Sequence, residues 1–291
     1  MIEIITKDCE ACIAEDLTRP CSPKKNLIVW WLGQAGFALR FGNINILIDP
    51  YLSDSLAKKY KSSEFPHIRM IPPPMDPREA RHIDFIVCTH RHTDHMDAET
   101  IIPILQNNPQ CKLLFPKAWK QYIIDFGGKE ESLIPIENNE VLQITPDIRL
   151  TAIPSAHESL DRDGYGNYLY LGYVFEFNKM KLYHSGDCVP YEGLVDSLKG
   201  QNINAAFLPV NGRDEFRKAR GVPGNFTYKE ALEICSIAQI KYLIPHHFGL
   251  FDFNTIPVKE LNNNAKSSKN KEVVSIIPEI KKKYLIYKTD T

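Results

Sequence analysis

The chain has 291 residues, of which 43% are hydrophobic and 24% are charged, a composition that is ordinary for a globular protein. Lysine and arginine (35 residues) almost balance aspartate and glutamate (36 residues), and the formal net charge is −1. This balance gives no support to a sequence-independent hold on nucleic acid or on an anionic membrane. The start lacks a signal-peptide pattern, no apolar run is long enough to span a bilayer, and the seven cysteines lack scaffold-like spacing. We therefore expect a cytoplasmic protein with reduced thiols.

The N-terminal residues 1–25 predict an arm or a short helix. This segment holds Cys9, Cys12 and Cys21, which have no fourth zinc ligand nearby and are therefore expected to be free thiols. Three dense apolar runs then predict strands joined by hairpin turns, over residues 27–32, 37–41 and 44–48. Asp49 follows the third run, and we expect it to support the ligand loops rather than to bind metal.

Residues 51–82 predict a long loop, which is either the rim or lid of a functional site or a solvated connector. His67 and His82 lie in this loop, and we expect them to approach no motif. The apolar run 83–88 then predicts a buried strand, and residues 97–106 predict a helix.

Between that strand and that helix lies the sequence His90-Arg91-His92-Thr93-Asp94-His95. Alternation turns His90 and His92 to one side of an extended segment, and Asp94 and His95 then aim at a neighbouring point. Four ligands this close do not fit one tetrahedron, so the spacing predicts two metal ions. The alternative is a polar loop whose histidines bond to backbone carbonyl groups.

The second half of the chain repeats one pattern, in which an apolar run ends in a polar side chain. The side chains are His157, Asp187, Arg213 and the pair His246-His247. Thr227 and Glu230 form a capping box, which predicts a helix through residue 238. Further strands are expected at 112–115, 131–136, 140–144, 147–153, 168–177, 181–183, 203–210 and 242–245, and further helices at 117–126 and 191–198. No linker divides the chain, so we predict a single domain over residues 1–291.

The order of these motifs resembles the metallo-β-lactamase fold superfamily. Within it, five motifs are similar to the L-ascorbate-6-phosphate lactonase-like proteins: Trp30-Trp31-Leu32-Gly33, Ile83-Asp84 before Thr89-His90, Tyr183-His184-Ser185-Gly186-Asp187, Asn211-Gly212-Arg213-Asp214 and Ile244-Pro245-His246-His247. The resemblance implies an α/β fold, a four-layer αββα sandwich of two mixed sheets with helices on the outer faces.

The resemblance also implies a ligand set for two divalent ions. One ion is expected among His90, His92 and His157, the second among Asp94, His95 and His247, with Asp187 bridging both. His246 stays an alternative to His247. Such a set of imidazoles and carboxylates suits Zn²⁺, while Mn²⁺ and Fe²⁺ tolerate it, and the resemblance to the lactonases implies Mn²⁺ or Zn²⁺. We expect His184 to give a supporting hydrogen bond and Cys188 to pack.

The expected function is metal-dependent hydrolysis, in which a hydroxide shared by two ions opens a small anionic ester or lactone, for example a sugar-phosphate lactone. Asp94 would hold that hydroxide and take up its proton. Arg213 either clamps the anionic substrate or pairs with the neighbouring Asp214 or Glu215. Arg217, Lys218 and Arg220 form either a basic rim or a solvated loop.

Two other functions stay open. One is a phosphodiesterase or nuclease that uses the same binuclear centre, and the other is a diiron redox protein, which normally works with a flavin domain. We expect no nucleic-acid or membrane partner, and the sequence leaves a homo-oligomer open.

Overall fold

The computed structural model describes residues 2–19, 26–267 and 272–289, and these contain fifteen strands and eight α-helices. The strands are β1 (Ile2–Asp8), β2 (Asn26–Gly33), β3 (Gly36–Phe41), β4 (Ile44–Ile48), β5 (Phe85–Val87), β6 (Lys112–Pro116), β7 (Leu133–Ile136), β8 (Val141–Thr145), β9 (Ile148–Pro154), β10 (Leu171–Phe177), β11 (Met180–His184), β12 (Ala205–Pro209), β13 (Tyr242–His246), β14 (Val274–Ser275) and β15 (Lys282–Lys288). The helices are α1 (Ile13–Thr18), α2 (Ser55–Lys59), α3 (Ala98–Asn107), α4 (Lys120–Asp125), α5 (Leu194–Lys199), α6 (Glu215–Lys218), α7 (Tyr228–Ile237) and α8 (Val258–Ser267).

A first compact unit is built from the described residues of the ranges 1–136 and 279–291. Its sheet has the strand order β1-β15-β2-β3-β4-β5-β6-β7. Pairing is antiparallel from β1 to β4 and parallel from β4 to β7, so the sheet is mixed. Apolar side chains of the strands pack in one buried core with side chains of α1, α3 and α4, among them Trp30, Ile101 and Ile123. Asp97 begins α3 by accepting a hydrogen bond from the Glu99 amide.

A second compact unit is built from the described residues of the range 137–278. Its sheet has the strand order β14-β13-β12-β11-β10-β9-β8 and is also mixed. Pairing is parallel from β14 to β11 and antiparallel from β11 to β8. Helix α7 begins at the predicted capping box, in which Thr227 and Glu230 accept from each other's backbone amides.

The two mixed sheets with helices confirm the predicted α/β class. The structure places β2, β3 and β4 within one or two residues of the predicted hairpin strands, and α3 follows the metal motif as expected. The interval 51–82 contains the short helix α2, which the sequence pattern did not indicate. The expected helix over 117–126 is a 3₁₀ turn over Lys117–Trp119 followed by α4.

The N-terminal segment contains a strand as well as the expected helix. Strand β1 pairs with β15, and its mostly exposed side chains gave it no periodic apolar signal. Cys9 and Cys12 are free thiols, while Cys21 lies outside the described residues. In the described part of the chain, no helix has both the length and the apolar character to cross a membrane.

Candidate metal centre

In the first unit, the polar motif begins where two parallel strands end side by side. The ends of β4 and β5 are in register, with Ile48 beside Val87, and the Asp49 amide donates to the Val87 carbonyl oxygen at 2.9 Å. Parallel strands deliver their carboxyl ends to one edge of a sheet. This pairing therefore brings Asp49 next to Thr89 and to the histidines that follow it.

Asp49 anchors this loop through three hydrogen bonds and is itself fully buried. Its carboxylate accepts from the Thr89 amide at 2.8 Å, from the Thr89 hydroxyl at 2.7 Å and from His95 Nδ1 at 2.6 Å. The backbone of Asp49 has a φ of 42°, a strained conformation that surrounding contacts must hold. The expectation that Asp49 supports the ligand loop is confirmed.

The ring nitrogens of the motif converge in the way that a bound cation requires. His90 Nε2 and His92 Nδ1 lie 3.0 Å apart, and the rings of His90 and His95 have centroids 4.0 Å apart. Two imidazoles on one Zn²⁺ place their nitrogens about 3.3 Å apart, given Zn–N bonds near 2.05 Å and a tetrahedral angle. Because Asp49 holds Nδ1 of His95, the other ring nitrogen, Nε2, lies 3.8 Å from Asp94 Oδ2. The donor set of this unit therefore fits a divalent metal.

The second unit contributes three more buried side chains from strand ends. His157 follows β9, Asp187 follows β11 and His247 follows β13, and each is at most 5% exposed. His157 Nε2 lies 3.5 Å from Asp187 Oδ2, and His247 Nε2 lies 3.3 Å from the same oxygen. Two imidazoles that face one carboxylate oxygen fit the bridging role that the sequence resemblance implied for Asp187.

The turn that carries Asp187 is fixed from three sides. His184 Nδ1 accepts from the Gly186 amide at 3.0 Å, which confirms its expected supporting hydrogen bond. The Ser155 hydroxyl donates to the Asp187 carbonyl oxygen at 3.0 Å, and the Cys188 amide donates to Asn225 Oδ1 at 2.8 Å. His246 stacks on the His184 ring at a centroid distance of 4.7 Å, while His247 faces Asp187.

A chain of amide side chains extends this support to the segment that follows β12. Asn225, which is fully buried, donates to Asn211 Oδ1 at 3.0 Å, and Asn211 donates to Asn254 Oδ1 at 2.7 Å. Arg217 donates to Asn254 at 2.7 Å and to Asp214 at 2.5 Å. Arg217 therefore connects α6 to the asparagines that support the Asp187 turn, and it belongs neither to a basic rim nor to a solvated loop. Within this unit Arg220 lies over the Phe216 ring.

Arg213 forms a two-point ion pair, and its partner is neither of the two neighbours that the sequence suggested. Its guanidinium donates to the two carboxylate oxygens of Glu230 at 2.7 and 2.6 Å and to the Asn225 carbonyl oxygen at 3.0 Å. This geometry engages the fork of the guanidinium group. The role of Arg213 in substrate binding stays a prediction.

We expect the Arg213–Glu230 pair to stabilise the protein in a pH-dependent way. Burial alone would raise the pKa of Glu230, but hydrogen bonds from Arg213 and Thr227 outweigh it and lower the pKa. The stabilisation is therefore fully present above the unfolded-state pKa of about 4.3 and is lost as the pH falls through the lower folded-state pKa. Glu230→Gln should lower the melting temperature by roughly 2–4 °C at pH 7, and the difference should shrink below about pH 4.

Thermal unfolding of both proteins between pH 3 and pH 7 measures this effect. The matched control is Glu130→Gln, because Glu130 pairs with Lys120 at 2.7 Å on the exposed surface. A difference between wild type and Glu230→Gln that stays constant over this pH range would contradict the prediction.

Cys188 is a packing residue, as expected, although it is adjacent to Asp187. Its side chain is fully buried, and burial raises the pKa of the thiol to about 11. A neutral thiol is a poor metal ligand and a poor nucleophile. We expect iodoacetamide to label the exposed Cys12 in the native protein and to leave Cys188 unmodified, as read by mass spectrometry. Early labelling of Cys188 would contradict this prediction.

Two side chains near Asp94 were missed or misjudged in the sequence. Gln34, in the turn between β2 and β3, donates from Nε2 to Asp94 Oδ2 at 2.9 Å. His67 is half-buried, stacks on Tyr60 at 4.4 Å and lies close enough to Asp94 for the carboxylate to raise the pKa of the imidazole against the larger lowering by burial. The expectation that His67 approaches no motif is wrong, because the Asp94 carboxylate acts electrostatically on its imidazole.

Among the described residues, seven side chains belong to two candidate ligand groups for a metal ion. His90, His92, Asp94 and His95 come from the first unit, and His157, Asp187 and His247 come from the second. Together they are the seven residues that the sequence resemblance implied. Five imidazoles and two carboxylates form a mixed nitrogen and oxygen donor set that suits Zn²⁺, Mn²⁺ or Fe²⁺.

Residues 44–248 of the chain match the family model described as the beta-lactamase superfamily domain. This range covers more than half of the chain. The chain belongs to the beta-lactamase superfamily. The match extends from β4 to the residue after His247, and it therefore includes all seven side chains of the two candidate ligand groups. The predicted membership of the metallo-β-lactamase fold superfamily is confirmed.

Three relatives show how this superfamily member compares with other proteins. A UPF0173 metal-dependent hydrolase from Saccharolobus solfataricus is 26% identical over 83% of this chain and 91% of its own. An N-acyl-phosphatidylethanolamine-hydrolyzing phospholipase D from Caenorhabditis elegans is 24% identical over 80% of this chain and 66% of its own. A protein from Shigella boydii described as a probable L-ascorbate-6-phosphate lactonase is 23% identical over 79% of this chain and 72% of its own.

A solved structure shares the fold of this superfamily member over most of its length. The isothiocyanate hydrolase from Delia radicum gut bacteria superimposes with a TM-score of 0.68 and 18% sequence identity. The superposition covers 87% of this chain and 96% of that chain. At this identity the likeness concerns the fold alone.

Proposed function

We propose that this protein is a metal-dependent hydrolase that opens a small anionic ester or lactone, of which a sugar-phosphate lactone is the type. The observation that carries the proposal is the convergence of donor atoms within each unit: those of His90, His92, Asp94 and His95 in the first, and those of His157 and His247 on Asp187 in the second. Relatives described as a metal-dependent hydrolase and as a probable L-ascorbate-6-phosphate lactonase support it.

Two divalent ions would be held by these seven residues, one by His90, His92 and His157 and the other by Asp94, His95 and His247, with Asp187 shared. When bound, such ions supply an acidified water and a Lewis-acid contact for a carbonyl or phosphoryl oxygen. Zn²⁺ and Mn²⁺ are the proposed ions, with Fe²⁺ as a further possibility.

Asp94 is the residue to which we assign proton transfer. Its side chain is 18% exposed, whereas that of neighbouring His95 is fully buried, so Asp94 is the more accessible of the two. A carboxylate at this position can orient the attacking water and accept its proton as the bond to the substrate carbon forms. Asp49 and Thr89 keep His95 in place beside it.

A turnover screen tests the proposed substrate class. Sugar-phosphate lactones and a chromogenic phosphodiester would be assayed side by side, with Mn²⁺ and with Zn²⁺. We expect lactone turnover, and we expect Asp94→Asn to reduce kcat by at least about a hundredfold, since general-base catalysis contributes about 10²–10⁴. Cys188→Ala is the matched control, because it alters a buried neighbour of Asp187 that has no proposed chemical role.

The phosphodiesterase is a second candidate because one relative is described as a phospholipase D that hydrolyses N-acyl-phosphatidylethanolamine, which is a phosphodiester. Diester turnover without lactone turnover would overturn the lactonase proposal and favour this candidate. The small anionic substrate is the partner that we propose, because the net charge of −1 gives no general attraction to a polyanion.

A further inference from the structure

We propose that Gln34 is a positioning residue for Asp94: its buried amide fixes the orientation of the Asp94 carboxylate. The inference rests on the proposed function, since it concerns the carboxylate to which metal binding and proton transfer are assigned. Gln34 belongs to neither candidate ligand group, and it lies 60 residues before Asp94 in the chain.

The hydrogen bond between Gln34 and Asp94 is short, and its donor residue is buried. Gln34 Nε2 donates to Asp94 Oδ2 at 2.9 Å, and Gln34 is 1% exposed. A hydrogen bond to a charged carboxylate is stronger than one between neutral groups, and burial strengthens it further. A carboxylate rotates about its last bond with little resistance, because such terminal torsions are broad. An amide that holds one oxygen therefore restricts the direction in which the other oxygen points.

The turn that carries Gln34 is built rigidly around an unfavourable backbone conformation. Gln34 has a φ of 50°, which a glycine adopts without strain but a residue with a Cβ atom adopts at a cost. The indole nitrogen of Trp31 donates to the Gln34 carbonyl oxygen at 3.0 Å and fixes this turn. A strained position that keeps a long amide side chain, where glycine would relieve the strain, points to a role for that side chain.

Gly36, the first residue of β3 after this turn, lies close to the backbone of Asp49. A Cβ atom at Gly36 would lie 3.1 Å from the Asp49 carbonyl oxygen, so glycine permits the close approach of the two strands. The start of β3 therefore packs against the backbone of Asp49, while the preceding turn holds the Asp94 carboxylate through Gln34.

Two substitutions separate positioning from a purely structural role. Gln34→Glu keeps the shape of the side chain but replaces the donor by an acceptor. Gln34→Gly removes the side chain and relaxes the backbone at a φ of 50°, so that lost packing and relieved strain offset each other. Gln121→Ala is the matched control, because Gln121 makes the same type of hydrogen bond to Asp125 at 2.8 Å on an exposed helix.

The decisive measurement is a cobalt(II) titration of each protein, followed by the visible absorption of the bound ion, which needs no substrate. We expect the affinity for the second equivalent of cobalt(II) to fall about 10–100-fold in both Gln34 variants, with a changed spectrum, since residues that orient ligands have effects of this size. On any substrate that the wild type hydrolyses, kcat should fall at least about tenfold, while KM changes less than about threefold. Gln121→Ala should match the wild type in every measurement.

Unchanged cobalt(II) affinity and spectrum in a folded Gln34 variant would overturn the inference. If one variant fails to fold, as judged by circular dichroism, the other variant decides. The proposed function fails separately, when the wild type binds two equivalents of cobalt(II) but turns over none of the substrates tested. In that case the cobalt(II) titration still decides whether Gln34 positions Asp94.

Discussion

Replacing Asp187 by alanine should reduce metal binding and hydrolysis together. Asp187 Oδ2 lies within 3.5 Å of ring nitrogens on both His157 and His247, and Asp187 is only 5% exposed. The substitution would leave these imidazoles without the carboxylate that balances the charge of bound cations. We expect the metal content to fall from about two ions per chain to one or fewer, and kcat/KM to fall by at least about a thousandfold.

Elemental analysis of the purified variant measures the metal content, and the turnover assay measures the activity. Cys188→Ala is the control, because it changes the next residue in the same turn and leaves the carboxylate in place. We expect this control to keep both ions. If the Asp187→Ala protein holds two ions and keeps full activity, Asp187 is not a metal ligand.

Asp49→Asn should destabilise the protein and weaken metal binding without removing any ligand. The Asp49 carboxylate is fully buried and accepts three hydrogen bonds at 2.6–2.8 Å. An asparagine keeps the shape but turns an NH₂ donor toward these donors, and at least one of them loses its partner. We expect a loss of about 3 kcal/mol in the free energy of unfolding, because breaking a buried charged interaction costs about 3–5 kcal/mol and one acceptor remains.

The same substitution loosens His95, whose Nδ1 is held by Asp49 at 2.6 Å. Metal affinity should fall about 10–100-fold, as for other carboxylates that orient a ligating histidine. Denaturant unfolding of the metal-free protein gives the stability effect, and a cobalt(II) titration gives the affinity. Asp163→Asn is the control, because Asp163 also accepts three hydrogen bonds, from Tyr165 and Asn167, but in an exposed turn. Equal effects from both substitutions would contradict the account.

Those parts of the candidate metal centre that depend on local sequence spacing could be predicted. The motif from His90 to His95 places four donor side chains within six residues, and no common structural role explains such density. His157, Asp187 and His247 each follow an apolar run, and strand ends in a parallel arrangement meet at one edge. The capping box at Thr227 and Glu230 also follows from local spacing.

Contacts between distant parts of the chain could not be predicted in this way. Gln34 reads as an ordinary turn residue, because only the fold brings it to Asp94, 60 residues further along. Arg213 pairs with Glu230 rather than with its sequence neighbours, since the turn after β12 lies beside the start of α7. Strand β1 was not predicted, because its exposed side chains do not alternate with buried ones. Its pairing partner, β15, lies at the other end of the sequence.

The most direct test of the account is removal and return of metal in the wild-type protein. The protein would be dialysed against a chelator until elemental analysis finds no bound ion, and then titrated with Zn²⁺ or Mn²⁺ while turnover is followed. We expect turnover to fall to background in the metal-free protein and to return to its full value at two equivalents. Full turnover by the metal-free protein would contradict this expectation.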